Sequence, residues 1–458
     1  MPTQYDAIII GTGQSGPPLA GRLTAAGMRA AVIERKRFGG TCVNTGCIPT
    51  KSLVASAKVI HMARRASDYG FRTGPILVDM KAVKDRKDRI VAKSNHGVES
   101  SLRGMKNCTV YQGHARFENP RTVRVGDDVL EAAKIFINVG GRAVKPAIPG
   151  LDNIAFLNNS SMMDIDFLPP HLVIMGGGYV ALEFGQMYRR FGSEVTIIQR
   201  GERLISREDP DISDAIRQIL EGEGIHLLTS ATMTQVTNQD GQVVLKLSVK
   251  GEARELQGSH LLVATGRVPN TDDLGLDRAG VATDARGYIQ VDDQLRTSVP
   301  GIWATGDCNG RGSFTHTSYN DFEIVAANLL DNDPRRVTDR ILAYNLYIDP
   351  PLGRAGMTES DVRKSGRKAL IGTRPMTRVG RAVEKGETQG FMKVLVDAES
   401  KRIVGASLLG VECDEVIHSL LDIMYAKAPY TVVQRAVHIH PTVSELVPTM
   451  LGELKPLE

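Results

Sequence analysis

Tyr5-Asp6-Ala7-Ile8-Ile9-Ile10-Gly11-Thr12-Gly13-Gln14-Ser15-Gly16 is the run that decides the fold, together with the helical stretch to Ala26 and the segment Ala30-Ala31-Val32-Ile33-Glu34 that follow it. An unbroken apolar run leading into glycines predicts a strand buried on both faces. Gly11 makes the turn out of that strand. Gly13 lets a pyrophosphate come against bare backbone, and Gly16 lets helix and strand pack closely. The helix start beyond it presents unpaired N–H groups to an anion. Glu34 ends the next strand roughly 20 residues on, where a carboxylate accepts hydrogen bonds from ribose hydroxyls. Pro17-Pro18 fits this reading only in the first helical turn, where no intrahelical N–H is needed.

The pattern recurs. His171–Met175 reads as a strand, Gly176-Gly177-Gly178-Tyr179-Val180-Ala181 as a variant glycine loop, the stretch to Phe191 as a helix and Glu194–Ile198 as the next strand. A spacing of this size is too long for a solenoid and marks two nucleotide-binding units. The acid of the first unit is replaced in the second by Gln199, followed by Arg200. Losing the carboxylate removes repulsion against a 2′-phosphate, and a guanidinium can pair with one. The expectation is NADPH over NADH, with Arg203 and Arg207 near the same place. Ile135–Arg142 and Leu261–Arg267 each end a unit in a strand with glycines, Gly140 and Gly266 among them. Gly301–Asp307 is a short strand that finishes in a glycine and an acid, suited to a polyol or pyrophosphate. Between the two fingerprints, Val78–Arg103 reads as a helix. Val110–Phe117 and Arg121–Val125 read as strands of a small antiparallel sheet. Asp321–Leu330 reads as a helix.

Directly after the first unit comes Gly39-Gly40-Thr41-Cys42-Val43-Asn44-Thr45-Gly46-Cys47-Ile48-Pro49-Thr50-Lys51. Pro49 suits a first helical turn, and Ser52–Met62 continues at helical spacing. Cys47 thus stands near a helix N-terminus, where the macrodipole favours a thiolate. Lys51 lies one turn further on the same face. No further Cys or His pair stands at metal-ligand spacing, so a redox dithiol is favoured over a metal clip. After Pro334 the pattern changes to antiparallel strands (Tyr344–Ile348, Phe391–Val396, Ile403–Leu409) and a helix, Glu412–Ala426. The chain then reaches His438-Ile439-His440-Pro441-Thr442-Val443-Ser444-Glu445, which offers a base with an orienting carboxylate; Thr442 and Glu445 also fit a capping box.

The 458 residues carry a net charge of +4 without a long basic run, which gives no case for nucleic acid. No apolar run reaches the ~18–20 residues of a membrane span, and no signal peptide precedes the first strand. The expectation is a cytoplasmic protein. Of five cysteines, Cys108, Cys308 and Cys413 are scattered and read as packed thiols.

With these motifs in place, the chain resembles the class I flavoprotein pyridine nucleotide–disulfide oxidoreductases: lipoamide dehydrogenase, glutathione reductase and mercuric reductase. The resemblance spans essentially the whole chain. It implies an α/β architecture: an FAD-binding domain (1–148, completed by 271–339), an NAD(P)H-binding domain (149–270) and a C-terminal α+β dimerisation domain (340–458). It implies FAD at Gly11, Gly13, Gly16, Glu34, Gly40, Thr41, Gly140 and Asp307. It implies the nicotinamide coenzyme at Gly176, Gly178, Tyr179, Ala181, Gln199, Arg200 and Gly266, with Tyr179 at the position of the tyrosine that covers the flavin. Cys42–Cys47 would be the redox disulfide, with Cys47 the charge-transfer thiol and Cys42 the interchange thiol. Lys51 would approach the flavin and pair with Glu183. His440, oriented by Glu445, would be the acid–base, reaching across a homodimer, and its bond to Pro441 would be cis. The substrate implied is a small disulfide; the alternatives are a metal ion such as Hg(II) or Cu(II), or lipoamide. Two features depart from mercuric reductases: the C-terminus has no cysteine pair, and His440 is present. Lipoamide dehydrogenases usually carry an acid where Gln199 stands. A non-catalytic flavin sensor is disfavoured because it needs no acid–base pair.

Overall fold

The computed structural model describes residues 1–458. The first apolar run forms the strand Thr3–Ile10 at the heart of a seven-stranded sheet. Ala30–Glu34 and Asp128–Ile137 pair parallel on either side of it. Cys108–Gln112 extends one edge, and Ile302–Ala304 pairs parallel with Asp128–Ile137. Both faces of the central strand are covered. Ile8 and Ile10 pack into one core with Ile33, Ile135 and Ile137, while Ala7 and Ile9 pack into another with Leu19, Leu23 and Phe136. That two-sided burial is why the run is continuously apolar rather than alternating. Pro17 and Pro18 occupy the first turn of the helix Gly16–Ala25, as their missing N–H groups require.

The second fingerprint builds a four-stranded parallel sheet from His226–Leu228, Glu194–Ile198, His171–Met175 and His260–Val263, with the helix Tyr179–Phe191 after its glycine loop. A three-stranded antiparallel sheet, Ala231–Gly258, sits beside it. The two loops are built alike. Gly11 (φ +102°) and Gly176 (φ +119°) are left-handed, and a Cβ on either would lie 2.3 or 2.4 Å from the carbonyl oxygen of Asn138 or Ala264, at the end of the neighbouring strand. Any side chain there would force strand and loop apart. The segments Gly141–Ala143 and Arg267–Pro269 pair antiparallel where the chain leaves the first sheet and later returns. The third unit is a six-stranded antiparallel sheet from Ala343–Leu346 to Lys455–Pro456, backed by the helix Cys413–Tyr425.

Two expected elements differ. Val110–Phe117 is not one strand: Cys108–Gln112 joins the parallel sheet, and Ala115–Asn119 begins the antiparallel extension. The break is Gly113, whose N–H donates to the Glu34 carbonyl at 2.9 Å and whose added Cβ would meet Val125 at 2.7 Å. The helix expected over Asp321–Leu330 starts at Thr315, because the Thr317 hydroxyl accepts from the Phe314 N–H at 3.1 Å and caps an earlier turn.

Candidate active site

Cys42 lies in a single helical turn, Gly40–Asn44, and Cys47 is the first residue of the 18-residue helix Cys47–Arg64. Gly46 joins them, and a Cβ there would come within 2.9 Å of the Thr41 carbonyl. Asn44 fixes the short turn by donating to the carbonyls of Phe38 (2.8 Å) and Gly40 (2.9 Å). Both cysteines are half-buried free thiols. Cys47 is pulled down to about 6, first by the hydrogen bond from Cys42, against the opposing effect of burial, and further by Thr315 and the Lys51 charge. The Thr315 hydroxyl lies 3.0 Å from the Cys47 sulfur. Cys42 is pushed far up by the same contact with Cys47 and by burial. Cys47 is therefore the thiolate and Cys42 the protonated donor beside it.

One turn into the helix, Lys51 Nζ donates to both Glu183 oxygens at 3.0 and 2.8 Å. Glu183 is buried in the helix after the second fingerprint. Its Oε1 also accepts from the Tyr347 N–H at 3.0 Å, and the Lys51 ammonium stands 4.6 Å from the Tyr347 ring centre. Further along the same two helices lies a second tie. Asp349 accepts from Lys58 (3.1 Å) and from the buried Arg190 (2.6 Å), and Arg190 also pairs with Glu223 at 2.7 Å. The dithiol helix is thus fixed to the second fingerprint helix and to the third unit at two levels.

Around the first glycine loop, Asn138 donates to the Gly13 carbonyl at 3.1 Å. Glu34 accepts from Thr12 N–H (3.1 Å), Thr12 Oγ1 (2.6 Å) and Lys36 N–H (2.8 Å). Gly40 packs directly on Gly13: a Cβ there would lie 2.9 Å from the Gly13 Cα. Loop and dithiol stretch therefore close on each other through bare backbone, and Thr41 is exposed at that edge. Gly140 is left-handed at the strand end (φ +63°). Asp307 follows left-handed Gly306; burial raises its carboxyl, opposed by Arg267 at only 3.5 Å. A half-buried carboxylate with one long partner fits a polyol donor, and the glycine cradle fits a pyrophosphate, so these residues suit FAD.

At the second loop, Gly178 precedes Tyr179, Ala181 is fully buried against the core, and Gly266 is left-handed (φ +133°). The Gln199 side chain lies over Gly177 and donates to the Arg203 carbonyl at 3.2 Å. Arg200 is exposed; Arg203 pairs loosely with Asp214 at 3.6 Å.

His440 Nδ1 stands 2.9 Å from Glu445 Oε2, and the His440–Pro441 bond is cis. The expected capping box does not form: the helix starts only at Leu446, so the bond from Glu445 N–H to Thr442 Oγ1 at 3.2 Å closes a turn before it, while the Glu445 carboxylate serves the histidine. This pair shares no hydrogen bond with Cys42 or Cys47 of its own chain. The His440 side chain is 78% exposed.

The family model for pyridine nucleotide-disulphide oxidoreductases matches residues 5–321, and that for their dimerisation domain matches residues 342–451. The chain belongs to the pyridine nucleotide–disulphide oxidoreductases. It is 36% identical over 460 residues to the probable pyridine nucleotide-disulfide oxidoreductase RclA of Escherichia coli, covering 99% of this chain and 100% of that one. It is 32% identical to a mercuric reductase of Bacillus cereus (91% of this chain, 66% of the relative). It is 31% identical to a dihydrolipoyl dehydrogenase of Cupriavidus necator (98% and 97%). Among solved structures, the Cu(II) complex of the HOCl-induced flavoprotein disulfide reductase RclA from Escherichia coli superposes with a TM-score of 0.91 at 35% identity, covering 98% of this chain and 99% of that one. The chain is a flavin-dependent oxidoreductase by family, with FAD and a pyridine nucleotide as the cofactors the family implies.

Sequence reasoning missed three groups at this site. Thr315 stands 268 residues from Cys47, and no local signal marks it. Tyr347 acts through its backbone N–H, to which sequence is blind. Asn138 had a usable signal, because it closes a parallel strand at the end where such sheets bind ligands.

Proposed function

We propose that the protein is an NADPH-dependent disulfide reductase that works through Cys42 and Cys47. The observation that carries this reading is the asymmetry of the pair: a Cys47 thiolate, stabilised by Cys42, Thr315 and Lys51, beside a protonated Cys42. Gly11, Gly13, Gly16, Glu34, Gly40, Thr41, Gly140 and Asp307 would hold FAD, which when bound would supply the two-electron chemistry that keeps the dithiol reduced. The chain's own groups do the rest. His440, paired with Glu445, takes the Cys42 proton. Cys42 sulfur attacks one sulfur of the substrate, breaking its S–S bond, and the first leaving thiolate takes that proton from His440. The Cys47 thiolate then attacks the Cys42 sulfur, breaks the mixed disulfide, expels the second half of the substrate as a thiolate that takes its proton from solvent, and closes the Cys42–Cys47 disulfide. The substrate gains the two electrons that the dithiol loses. Lys51, held by Glu183, keeps positive charge near Cys47 throughout.

NADPH preference rests on Gln199 and Arg200. Arg200→Ala is expected to lower kcat/KM for NADPH about tenfold, the loss of one charge-assisted hydrogen bond, and to leave NADH use within about twofold. Equal losses with both coenzymes would remove Arg200 from the 2′-phosphate site. A second reading, reduction of a metal ion at the same dithiol, is favoured by the Cu(II) complex of RclA. Steady-state NADPH oxidation with a panel of disulfides, Cu(II) and Hg(II) separates the two. Cys42→Ser is expected to abolish whichever activity is found, and retained disulfide reduction in that variant would overturn the dithiol mechanism.

A further inference from the structure

Gly306–Asn309 is a single short helical turn that leaves the strand Ile302–Ala304, and it carries Asp307. Its cap residue, Thr305, gives the turn no side-chain acceptor. The acceptor comes instead from the helix Thr315–Ala326, in which Asp321 is buried. One Asp321 oxygen, Oδ2, accepts from the Gly306 N–H at 2.8 Å and from Asn309 Nδ2 at 2.9 Å. A single atom thus holds the first and the last residue of the turn, with Asp307 between them. Asn309 Nδ2 also donates to the Ala304 carbonyl at 3.0 Å. Gly306 is left-handed (φ +72°), and a Cβ there would lie 2.8 Å from Ser318 Oγ, one helical turn before Asp321. The helix therefore rests on bare backbone. On the other side, Thr305 Oγ1 and Ser15 Oγ stand 2.6 Å apart and join the turn to the first glycine loop.

The second Asp321 oxygen accepts from Arg340 Nη2, and Arg340 Nε donates to Asn320 Oδ1 at 2.9 Å. Arg340 lies where the chain passes from the first unit into the third, and both side chains of the pair are nearly sealed from solvent. Neither shares a hydrogen bond with the dithiol, with Lys51 and Glu183, or with His440 and Glu445. For the fold alone such a pair is a poor investment, since well-packed apolar side chains often serve as well or better. An apolar pair could not supply an acceptor for the buried Gly306 N–H, which would be left unpaired. We propose that Asp321, oriented by Arg340, is a positioning residue for FAD: it sets the turn that presents the Asp307 carboxylate. This rests on the reading of Asp307 as a partner of the FAD polyol. Without Asp321 the empty turn relaxes until its donors find water. Binding FAD must then re-form it, and the cost appears in affinity.

The test is the Kd of FAD for the full-length holoprotein, read from free-flavin fluorescence on dilution. Asp321→Leu is expected to weaken FAD about tenfold, the worth of one hydrogen bond to a charged group. Asp321→Asn gives up the charge but keeps an acceptor for the Gly306 N–H, and should stay within about threefold of wild type. Asn309→Ala removes the tie at the other end of the turn and should weaken FAD about fivefold. Combined with Asp321→Leu it should add little, because the two share a bond. A tie that serves only the fold would lower the thermal midpoint of these variants and leave the Kd alone. A Kd within about twofold of wild type in Asp321→Leu, equal losses in the Leu and Asn variants, or fully multiplied losses in the double variant overturns the inference. If Asp321→Leu does not fold, Asn309→Ala decides, and a Kd within about twofold of wild type overturns it. Asp307→Ala, measured alongside, separates the two readings. An unchanged Kd there removes Asp307 from the FAD site and the inference with it. A weakened Kd there beside an unchanged one in Asp321→Leu leaves the site standing and removes only the role of Asp321.

Discussion

A thiolate at Cys47 is kept charged by neighbours that can be removed one at a time. Its depressed titration means the reactive form prevails above about pH 6 and is lost as pH falls through that value. Thiolate absorbance of the reduced protein is therefore expected to hold steady from alkaline to neutral pH and to fall away near 6. Thr315→Val removes a donor at 3.0 Å from the sulfur and should move the midpoint up by about one pH unit, the order expected for one hydrogen bond to a charged group. An unmoved midpoint would leave Cys42 and Lys51 as the groups that hold the charge. The cysteines, Lys51 and the helix start were legible from local sequence, because spacing and glycine content act over one or two turns. Thr315 was not, because only the folded chain brings the first residue of a much later helix against Cys47.

The helices Cys47–Arg64 and Tyr179–Phe191 cross through two ion-pair ties, and these differ in burial. Lys51 is about one-third exposed, whereas Arg190 is nearly sealed between Asp349 and Glu223. Lys51→Met leaves Glu183 with only the Tyr347 N–H and should cost about 1.5–3 kcal/mol. Asp349→Asn removes one of the two carboxylates on a buried guanidinium, leaving Glu223, and takes the partner from Lys58 as well; it should cost about 3 kcal/mol, read as the larger drop in thermal midpoint of the holoprotein. Although burial pushes the Asp349 carboxyl up, Arg190 and Lys58 outweigh it and hold the group below its usual range. Its stabilisation is therefore complete above the ordinary carboxylate range and disappears as pH falls through the depressed value. Asp349→Asn should accordingly show a flatter acid limb of stability than wild type; an equally steep limb would mean that Asp349 is not the titrating group. At this scale sequence served well where pattern is local: both glycine loops, their flanking strands and the proline-started helix came out as read. It failed at Gly113, where a tertiary contact with Val125 ended a strand that β propensity would have continued. It also failed at Asp349, whose partners lie on two other units.

At the scale of the whole molecule, the order of modules was legible because a repeated fingerprint is a strong signal, while a target for His440 was implied only by the family resemblance, because no local pattern reports a contact with a second copy of the chain. Within one chain His440 and Glu445 form a finished base, yet the histidine is exposed beside Ile439 (79% exposed) and Val437 (99% exposed). Apolar side chains this open, in a domain whose family model is a dimerisation domain, fit burial against a partner. We predict that His440 serves the dithiol of the other subunit. The check is complementation between Cys42→Ser and His440→Ala chains, each inactive as a homodimer. If the histidine works in trans, a mixed dimer pairs the intact Cys42 of one chain with the intact His440 of the other and rebuilds one native site of its two. Random mixing by unfolding or coexpression then restores about a quarter of wild-type disulfide reduction. If the histidine works within its own chain, every site in the mixed dimer lacks one group and nothing is recovered. Ile439→Asp places an unpaired charge in the buried patch and should shift the protein toward monomer in sedimentation. Under the trans arrangement it loses disulfide reduction with the dimer, while NADPH binding at the distant second loop persists.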